Sequence, residues 1–461
     1  MSAITGAKQN TFRLTELPQL LSYMYINGNY KPSILILGPP GIGKSDIIRQ
    51  IAQEIAKSNK KTLIDYKDFI IKYPDLTPVI KEREDYRLLK KEMPNTELHN
   101  YFIFHDMRLT EIEPADLLGI PHVTQTGTRP MYSSYVPLGW AKIFSLYPGL
   151  LFLDELTNVR RDDVLAAAYK LLLDRAAGET RFHDGVIIIA AGNPPEYSAI
   201  ARELPAPLIN RMMVINVLPP TVDEWRDFME RVEREHKRGW YKRVYAFLKL
   251  KEIEGLASTY FLPPPSIAST LEPYPSPRSW SNAAWTLWQI NEHAKQRKQQ
   301  TLDPQYLVRV LSGFVGDHAA SVFLEFLQIL SQVDIDAILR NPRSIHTVAE
   351  DIAKKLKNVS AINVEAVIIN DIASKMYGDI SAGISDENFQ RKYLDFLDYA
   401  TRVEEHQRYE MLTLLVGNDP KRWELICSKL VPEGKDERVQ RIFHALLEKL
   451  GKIPELRRPS G

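Results

Sequence analysis

Gly38-Pro39-Pro40-Gly41-Ile42-Gly43-Lys44-Ser45 is the stretch on which the reading of this chain turns. It is preceded by a short apolar run, Ser33 to Leu37, of the kind that forms a buried strand. It is followed by Asp46 to Ala56, in which Ile47, Ile48, Ile51, Ala52 and Ile55 recur at helical spacing. A strand that opens through Gly-x-x-x-x-Gly-Lys-Ser into a helix is a phosphate-binding loop with a mechanical reason for each residue. Glycine lets backbone N–H groups turn inward on an anion, and the first turn of the helix adds positive potential. The bland alternative, a glycine-rich turn with a solvated lysine, does not require that strand–loop–helix context.

Outward from the loop, Leu150-Leu151-Phe152-Leu153-Asp154-Glu155 is a second apolar strand, and it ends in two carboxylates. In open α/β sheets ligands sit at the carboxyl ends of the strands, which places this acidic pair near the loop. The chemistry expected is that of a nucleoside triphosphate: Lys44 on the β- and γ-phosphates, and Ser45 and Asp154 on Mg²⁺, the latter through water. Glu155 is the candidate that orients or deprotonates an attacking water. The loop residues Gly38 to Ser45, with Asp46 in the first helical turn, are the candidate ATP contacts. Asn193 follows the apolar run Val186 to Ala190 and is a candidate for touching the γ-phosphate or placing the water, although Asn before Pro is also a common turn former. Arg211 and Arg278 are surface residues unless a partner claims them.

Five continuous apolar runs (Ser33–Leu37, Tyr101–His105, Leu150–Asp154, Val186–Ala190 and Met212–Val217) alternate with helical patterns in the first half. Such runs are expected of parallel strands covered on both faces, so the fold class is α/β. After Pro219-Pro220 the texture becomes helical, with Thr221 and Glu224 as a candidate capping box ahead of the pattern Trp225 to Leu250. The Pro-rich stretch Phe261 to Pro277 should be extended, and helical patterns resume from Trp280. The lysine- and glutamate-rich segment from Ser58 to Glu97 reads as a solvated helical insertion. This divides the chain into an α/β domain over 1–218, a helical lid over 219–342 and a C-terminal helical region over 343–461.

Bulk properties narrow the class. Lysine plus arginine (59) balances aspartate plus glutamate (58), so no overall field favours nucleic acid or an anionic membrane. The single cysteine, Cys427, excludes an intramolecular disulfide and a cysteine-based zinc cluster and fits a reducing compartment. No run approaches 18 uncharged apolar residues, and the first residues lack a signal-type apolar core. A cytoplasmic protein without a membrane span is the expectation.

Together, in this order, these residues resemble the AAA+ ATPases, and in detail the MoxR-like (AAA-5 or dynein-related) branch. Gly38 to Ser45 is similar to the family's Walker A and Leu150 to Glu155 to its Walker B. Leu165 to Arg175 resembles the helix that follows, and Asp184 to Asn193 the sensor 1 strand, which implies Asn193 as the sensor. Arg211, in Leu204 to Arg211, falls at the arginine finger, which implies a homo-oligomeric ring, usually a hexamer. Ser276-Pro277-Arg278 is similar to sensor 2. Ala115 to Trp140 resembles the helix-2 insert, with a hairpin around Gly127 and Met131, Tyr132 and Tyr135 as pore- or partner-facing candidates. Gly178 to Gly185 resembles the hairpin before sensor 1, and similarity fades after about Asn341-Pro342. Where many relatives carry Asn-Arg, this chain has Thr157-Asn158.

The resemblance implies a core of five parallel strands with helices on both faces, a helical lid, ATP and Mg²⁺ as ligands, and a ring that remodels a protein partner, often one with a von Willebrand A domain. Two other classes remain open to test: a nucleotide-gated scaffold with little turnover, and a nucleic-acid motor, which the balanced charge disfavours.

Overall fold

A computed structural model describes residues 10–26, 32–72, 100–124, 132–198, 201–264, 272–296, 304–355, 361–403, 425–426, 428–430, 438 and 441–442. Gly127, Met131, the Tyr132 side chain, Cys427, residues 73–97 of the charged segment and 265–271 of the Pro-rich stretch lie outside the described residues. The strands are β1 (Thr11–Arg13), β2 (Ile34–Leu37), β3 (Thr62–Asp65), β4 (Tyr101–Arg108), β5 (Ile120–Thr124), β6 (Tyr132–Val136), β7 (Gly149–Asp154), β8 (Ala176–Ala177), β9 (Thr180–Arg181), β10 (Val186–Gly192) and β11 (Met213–Leu218). Two compact units result, one of Met1–Glu224 with Leu262–Glu272 and Ser276–Arg278, the other of Trp225–Phe261 with Pro273–Pro275 and Ser279–Gly461.

The first unit is built on one sheet in the order β1-β11-β2-β10-β7-β4-β3, in which every neighbour is parallel. All five expected runs are strands of it. Two short edge strands, β1 and β3, extend it to seven, and β3 replaces the start of what reads as a helical insertion. These edges are partly exposed three- and four-residue segments, too short to show a period. The inner strands β7 and β10 are almost wholly buried, because both faces are covered.

Side chains alternate across the sheet with period two. Leu150 and Phe152 join Phe102, Phe104, Ile187, Ile189, Ile34 and Ile36 under the helix Lys44–Ser58, which contributes Ile48, Ile51, Ala52 and Ile55. Leu151 and Leu153 point the other way, to Ile188, Ala190, Phe144 and the Asp162–Asp174 helix. Each buried isoleucine or leucine contributes about 1.5–3 kcal/mol, so this alternation fixes the register firmly. It also decides that Asp154, two residues beyond Phe152, projects toward the helix that the glycine-rich loop begins.

Two antiparallel hairpins decorate this unit. β5 pairs with β6, leaving Ile120, Val123 and Tyr135 exposed, and β8 pairs with β9 across Gly178, whose φ of 58° suits a tight turn. The capping box forms as expected: the Glu224 carboxylate accepts from the Thr221 N–H at 2.7 Å and the Thr221 hydroxyl accepts from the Glu224 N–H at 3.2 Å.

The second unit is helical. The pattern Trp225 to Leu250 is not one helix: Val222–His236 and Arg243–Ile253 are separate. Lys237 adopts a left-handed φ of 52°, and a Cβ on Gly239 would lie 2.3 Å from the Trp288 ring, so the chain turns where periodicity alone sees continuity. Phe247 is the hub of an aromatic cluster, with ring centroids of Phe323, Trp280, Phe326 and Tyr260 at 5.2, 5.6, 5.6 and 5.8 Å. A further core, centred on Ile368, Ile372, Phe389, Tyr393 and Phe396, joins the helices Ser344–Lys355, Ala361–Ser381 and Asp386–Arg402. The helix resuming near Trp280 begins three residues earlier, at Pro277, where proline suits a first helical turn. No helix among the described residues is long and apolar enough to cross a membrane.

Gly149 starts β7 with no room for a side chain: an added Cβ would lie 2.3 Å from the Ile103 carbonyl oxygen and 2.8 Å from Phe144. Gly149→Ala should therefore destabilise the sheet by about 1–3 kcal/mol, seen as a lower denaturant midpoint.

Candidate active site

The loop 38–45 leaves β2 and reaches the helix Lys44–Ser58 through two glycines in the left-handed region, Gly41 (φ 74°) and Gly43 (φ 98°). Both conformations are strained for any residue with a Cβ. At Gly38 an added Cβ would meet Ile42 at 3.0 Å and the Val217 carbonyl oxygen at 3.2 Å, so the loop also lies close against β11. Ile42 is buried beneath it, and Asp46 stands exposed in the first turn.

Lys44 is 8% exposed. Its ammonium donates to the carbonyl oxygens of Gly38 and Pro39, each at 2.8 Å, and to the Asn193 Oδ1 at 2.9 Å. Burial pushes its pKa down to about 8; the Arg278 guanidinium adds to that, while Asp154 and Glu155 oppose it. The Ser45 hydroxyl donates to the Asp154 Oδ2 at 3.0 Å. The other oxygen of Asp154 accepts the Glu155 N–H at 2.8 Å. Strand ends thus bring Lys44, Ser45, Asp154 and Asn193 together. Arg278 joins through its backbone, whose N–H donates to the Gly41 oxygen at 3.0 Å, with Ser276 packed on the same glycine.

Glu155 has a left-handed backbone, φ 61° and ψ 30°. Its carboxylate accepts from the Thr110 hydroxyl at 2.8 Å and faces the Arg108 Nε at 3.6 Å. Arg211 sits after the short helix Ala206–Ile209, exposed, with its N–H on the Leu208 oxygen at 3.1 Å. No contact among the described residues joins it to Lys44.

Sequence reasoning overlooked Asp106, Arg108 and Thr110, and met Thr157 only as a departure from a familiar pattern. The expected strand stopped at His105, whereas β4 runs on to Arg108, which pairs in register with Asp154. Period-two alternation carried past His105 would have placed Asp106 and Arg108 on the Asp154 face. Asp106 is pushed up to about 6, first by desolvation and then by the Asp154 carboxylate, though its outer edge meets solvent.

A hydroxyl and a carboxylate 3.0 Å apart are hard oxygen donors that fit Mg²⁺. Among the described residues no group of three or more His, Cys, Asp or Glu could hold a metal ion, so an ion at Ser45 and Asp154 would draw its other ligands from phosphate and water. The loop fits a polyphosphate for the reasons already given: two glycines with positive φ, a helix N-terminus and a buried ammonium.

No protein-family model matches the chain, and no curated protein matches it. Among solved structures it is similar to PCH-2 of C. elegans, at 14% identity over 68% of this chain and 65% of that one, with a TM-score of 0.22. It is also similar to NtrX from Brucella abortus, at 15% identity over 78% of this chain and 68% of that one, with a TM-score of 0.32. The chain spans just under two thirds of the PCH-2 chain. At such scores neither superposition bears on function, and the fold is read from the chain itself.

Because Lys44 titrates near 8 when folded and near 10.5 when unfolded, its charge is disfavoured in the folded state at neutral pH. The unfolded chain binds the extra proton between those values, so stability attributable to Lys44 rises with pH across that window. Measured as the difference between wild type and Lys44→Met, the gain from pH 8 to 9.5 should be roughly 1–2 kcal/mol in denaturant titrations without nucleotide. The parallel sheet, with the glycine-rich loop leaving β2 and the acidic pair leaving β7, is an α/β core covered by helices on both faces and followed by a helical region.

Proposed function

We infer that this chain is a Mg²⁺-dependent ATPase of the MoxR-like AAA+ type, acting as a homo-oligomeric ring, usually a hexamer, to remodel a protein partner. The observation that carries this is the convergence of Lys44 and Ser45 on Asn193 and Asp154 at one edge of the sheet. In this reading Lys44 exchanges the Gly38 and Pro39 carbonyls for phosphate oxygens, and the loop N–H groups line the β-phosphate. Ser45 and Asp154 would hold Mg²⁺, which supplies charge neutralisation on the transferring phosphoryl group. Glu155 orients the water and takes its proton, Asn193 fixes the water or the γ-phosphate, and Arg278 approaches the nucleotide of its own subunit. Arg211, exposed, is directed to the nucleotide of a neighbour.

The parts proposed are the α/β domain over 1–218, the lid over 219–342 and the C-terminal helical region over 343–461. The helix-2-type insert near 115–140 presents Ile120, Val123 and Tyr135 to a partner, for which a von Willebrand A domain protein is the leading candidate. A cytoplasmic setting follows from the same reading.

One observation favours a second reading, a nucleotide-gated scaffold with little turnover: the Glu155 carboxylate is engaged by Thr110 and Arg108 rather than free. Phosphate release from the purified oligomer separates the two. Under the ATPase reading Glu155→Gln should bind a fluorescent ATP analogue as wild type does while turnover falls at least about 100-fold. Arg211→Ala should do likewise, and mixing Arg211→Ala with Glu155→Gln chains should restore part of the turnover, because a Glu155→Gln subunit lends its Arg211 to a neighbour that keeps Glu155. Undiminished phosphate release by Glu155→Gln would remove Glu155 from its role.

A further inference from the structure

We propose that Thr157 is a positioning residue of the hydrolytic site, one that fixes Asn193 against the phosphate loop and ties it to the segment leading to Arg211; this rests on the ATPase reading above. Thr157 lies in the single turn Leu156–Asn158 after the acidic pair and is 4% exposed. Its hydroxyl has one proton to give and lone pairs to accept with. It accepts the Asn193 N–H at 2.8 Å and donates to the Asn193 carbonyl oxygen at 2.9 Å. One buried hydroxyl thereby satisfies both backbone groups of a single residue, a residue that follows a strand and has no sheet partner of its own.

The grip has a second jaw. Gly192, just before Asn193, offers its carbonyl oxygen to the Gly38 N–H at 3.3 Å, so the peptide is held from the loop side as well. Thr157 comes so near Gly192 that a Cβ there would lie 2.6 Å from its methyl and 2.7 Å from its hydroxyl. With its backbone held on both sides, Asn193 presents Oδ1 to Lys44 at 2.9 Å.

The same turn reaches the other way. The Thr157 carbonyl accepts the Arg202 N–H at 2.8 Å, and the Asn158 side chain accepts from the Ser198 hydroxyl at 3.2 Å. The Arg202 guanidinium in turn donates to the Arg160 carbonyl at 2.6 Å and pairs with Asp162. Arg202 opens the stretch that ends at Arg211. The turn after Glu155 is therefore anchored both to the residue facing Lys44 and to the segment carrying the arginine directed at a neighbour.

A space-filling threonine predicts something different from a positioning one, because valine keeps the shape and discards the hydroxyl. On the full chain, Thr157→Val should lower ATP turnover about 10- to 100-fold, the range expected when a reacting group is displaced by about 1 Å. A fluorescent ATP analogue should still bind within about threefold of wild type. Thr157→Ser, which keeps the hydroxyl, should recover most of the loss. In an Asn193→Ala background Thr157→Val should have little further effect, since the two act as one unit. Wild-type turnover by Thr157→Val, an equal loss in Thr157→Ser, or losses that multiply in the double variant would each overturn the proposal. Should Thr157→Val not fold, Thr157→Ala against Thr157→Ser makes the same comparison. A wild-type chain that binds ATP and releases no phosphate would remove the ATPase reading and this inference with it; an active wild type with an equally active Thr157→Val would remove this inference alone.

Discussion

A buried ammonium needs oxygen acceptors on every proton, and Lys44 finds two of them in its own loop and the third far along the chain. Two are loop carbonyls, from Gly38 and Pro39, and the third is the side chain of Asn193 at the end of another strand. That arrangement holds only if β2 and β10 end level with one another, which the pairing of Gly192 with Leu37 ensures. β7 must end there too, so that Asp154 and Glu155 lend their negative field to a cation that burial would otherwise discharge. The parallel sheet is thus more than a platform. Its register is the condition under which a lysine can stay beneath a glycine-rich loop.

The parts of this design that were legible in the sequence are the ones with a short-range signature. Continuous apolar runs gave all five inner strands, because strands covered on both faces cannot alternate. The Thr221–Glu224 capping box was readable for the same reason, since both partners lie within one helical turn. Edge strands β1 and β3 escaped, having too few residues to establish a period and too much exposure to be apolar. The break after His236 escaped because it rests on a left-handed Lys237 and on a Gly239 that packs against Trp288, far along the chain, neither of which a periodicity can show.

Within the candidate site the division is similar. Gly38 to Ser45 and Asp154-Glu155 announce themselves through local chemistry. Arg108 and Thr110 do not, since β4 grows polar as it leaves the core, and polarity at a strand end looks the same whether a side chain meets solvent or Glu155. Thr157 was noted in the sequence only as a departure from a familiar pattern. Its partner is a backbone 36 positions away, and nothing local in Leu-Thr-Asn distinguishes a threonine that grips a peptide from one that fills a turn. Arg211 poses the opposite case: a legible position whose proposed role belongs to a contact between chains.

Glu155 carries its carboxylate on a backbone that L-residues avoid, with φ at 61°. A left-handed residue with a Cβ costs roughly 1–2 kcal/mol relative to the right-handed one. Glycine or asparagine would sit there with less strain, and neither could remove a proton from water. If Glu155 is the base, selection for activity and selection for stability act in opposite directions at this one position. The turn is flanked by the buried Leu153 and Leu156, and the Glu155 backbone is held by Asp154 Oδ1 and by the Asn158 N–H. A lineage that lost the need to hydrolyse would meet its easiest route to a firmer fold here, so the identity of residue 155 is a record of whether turnover still matters.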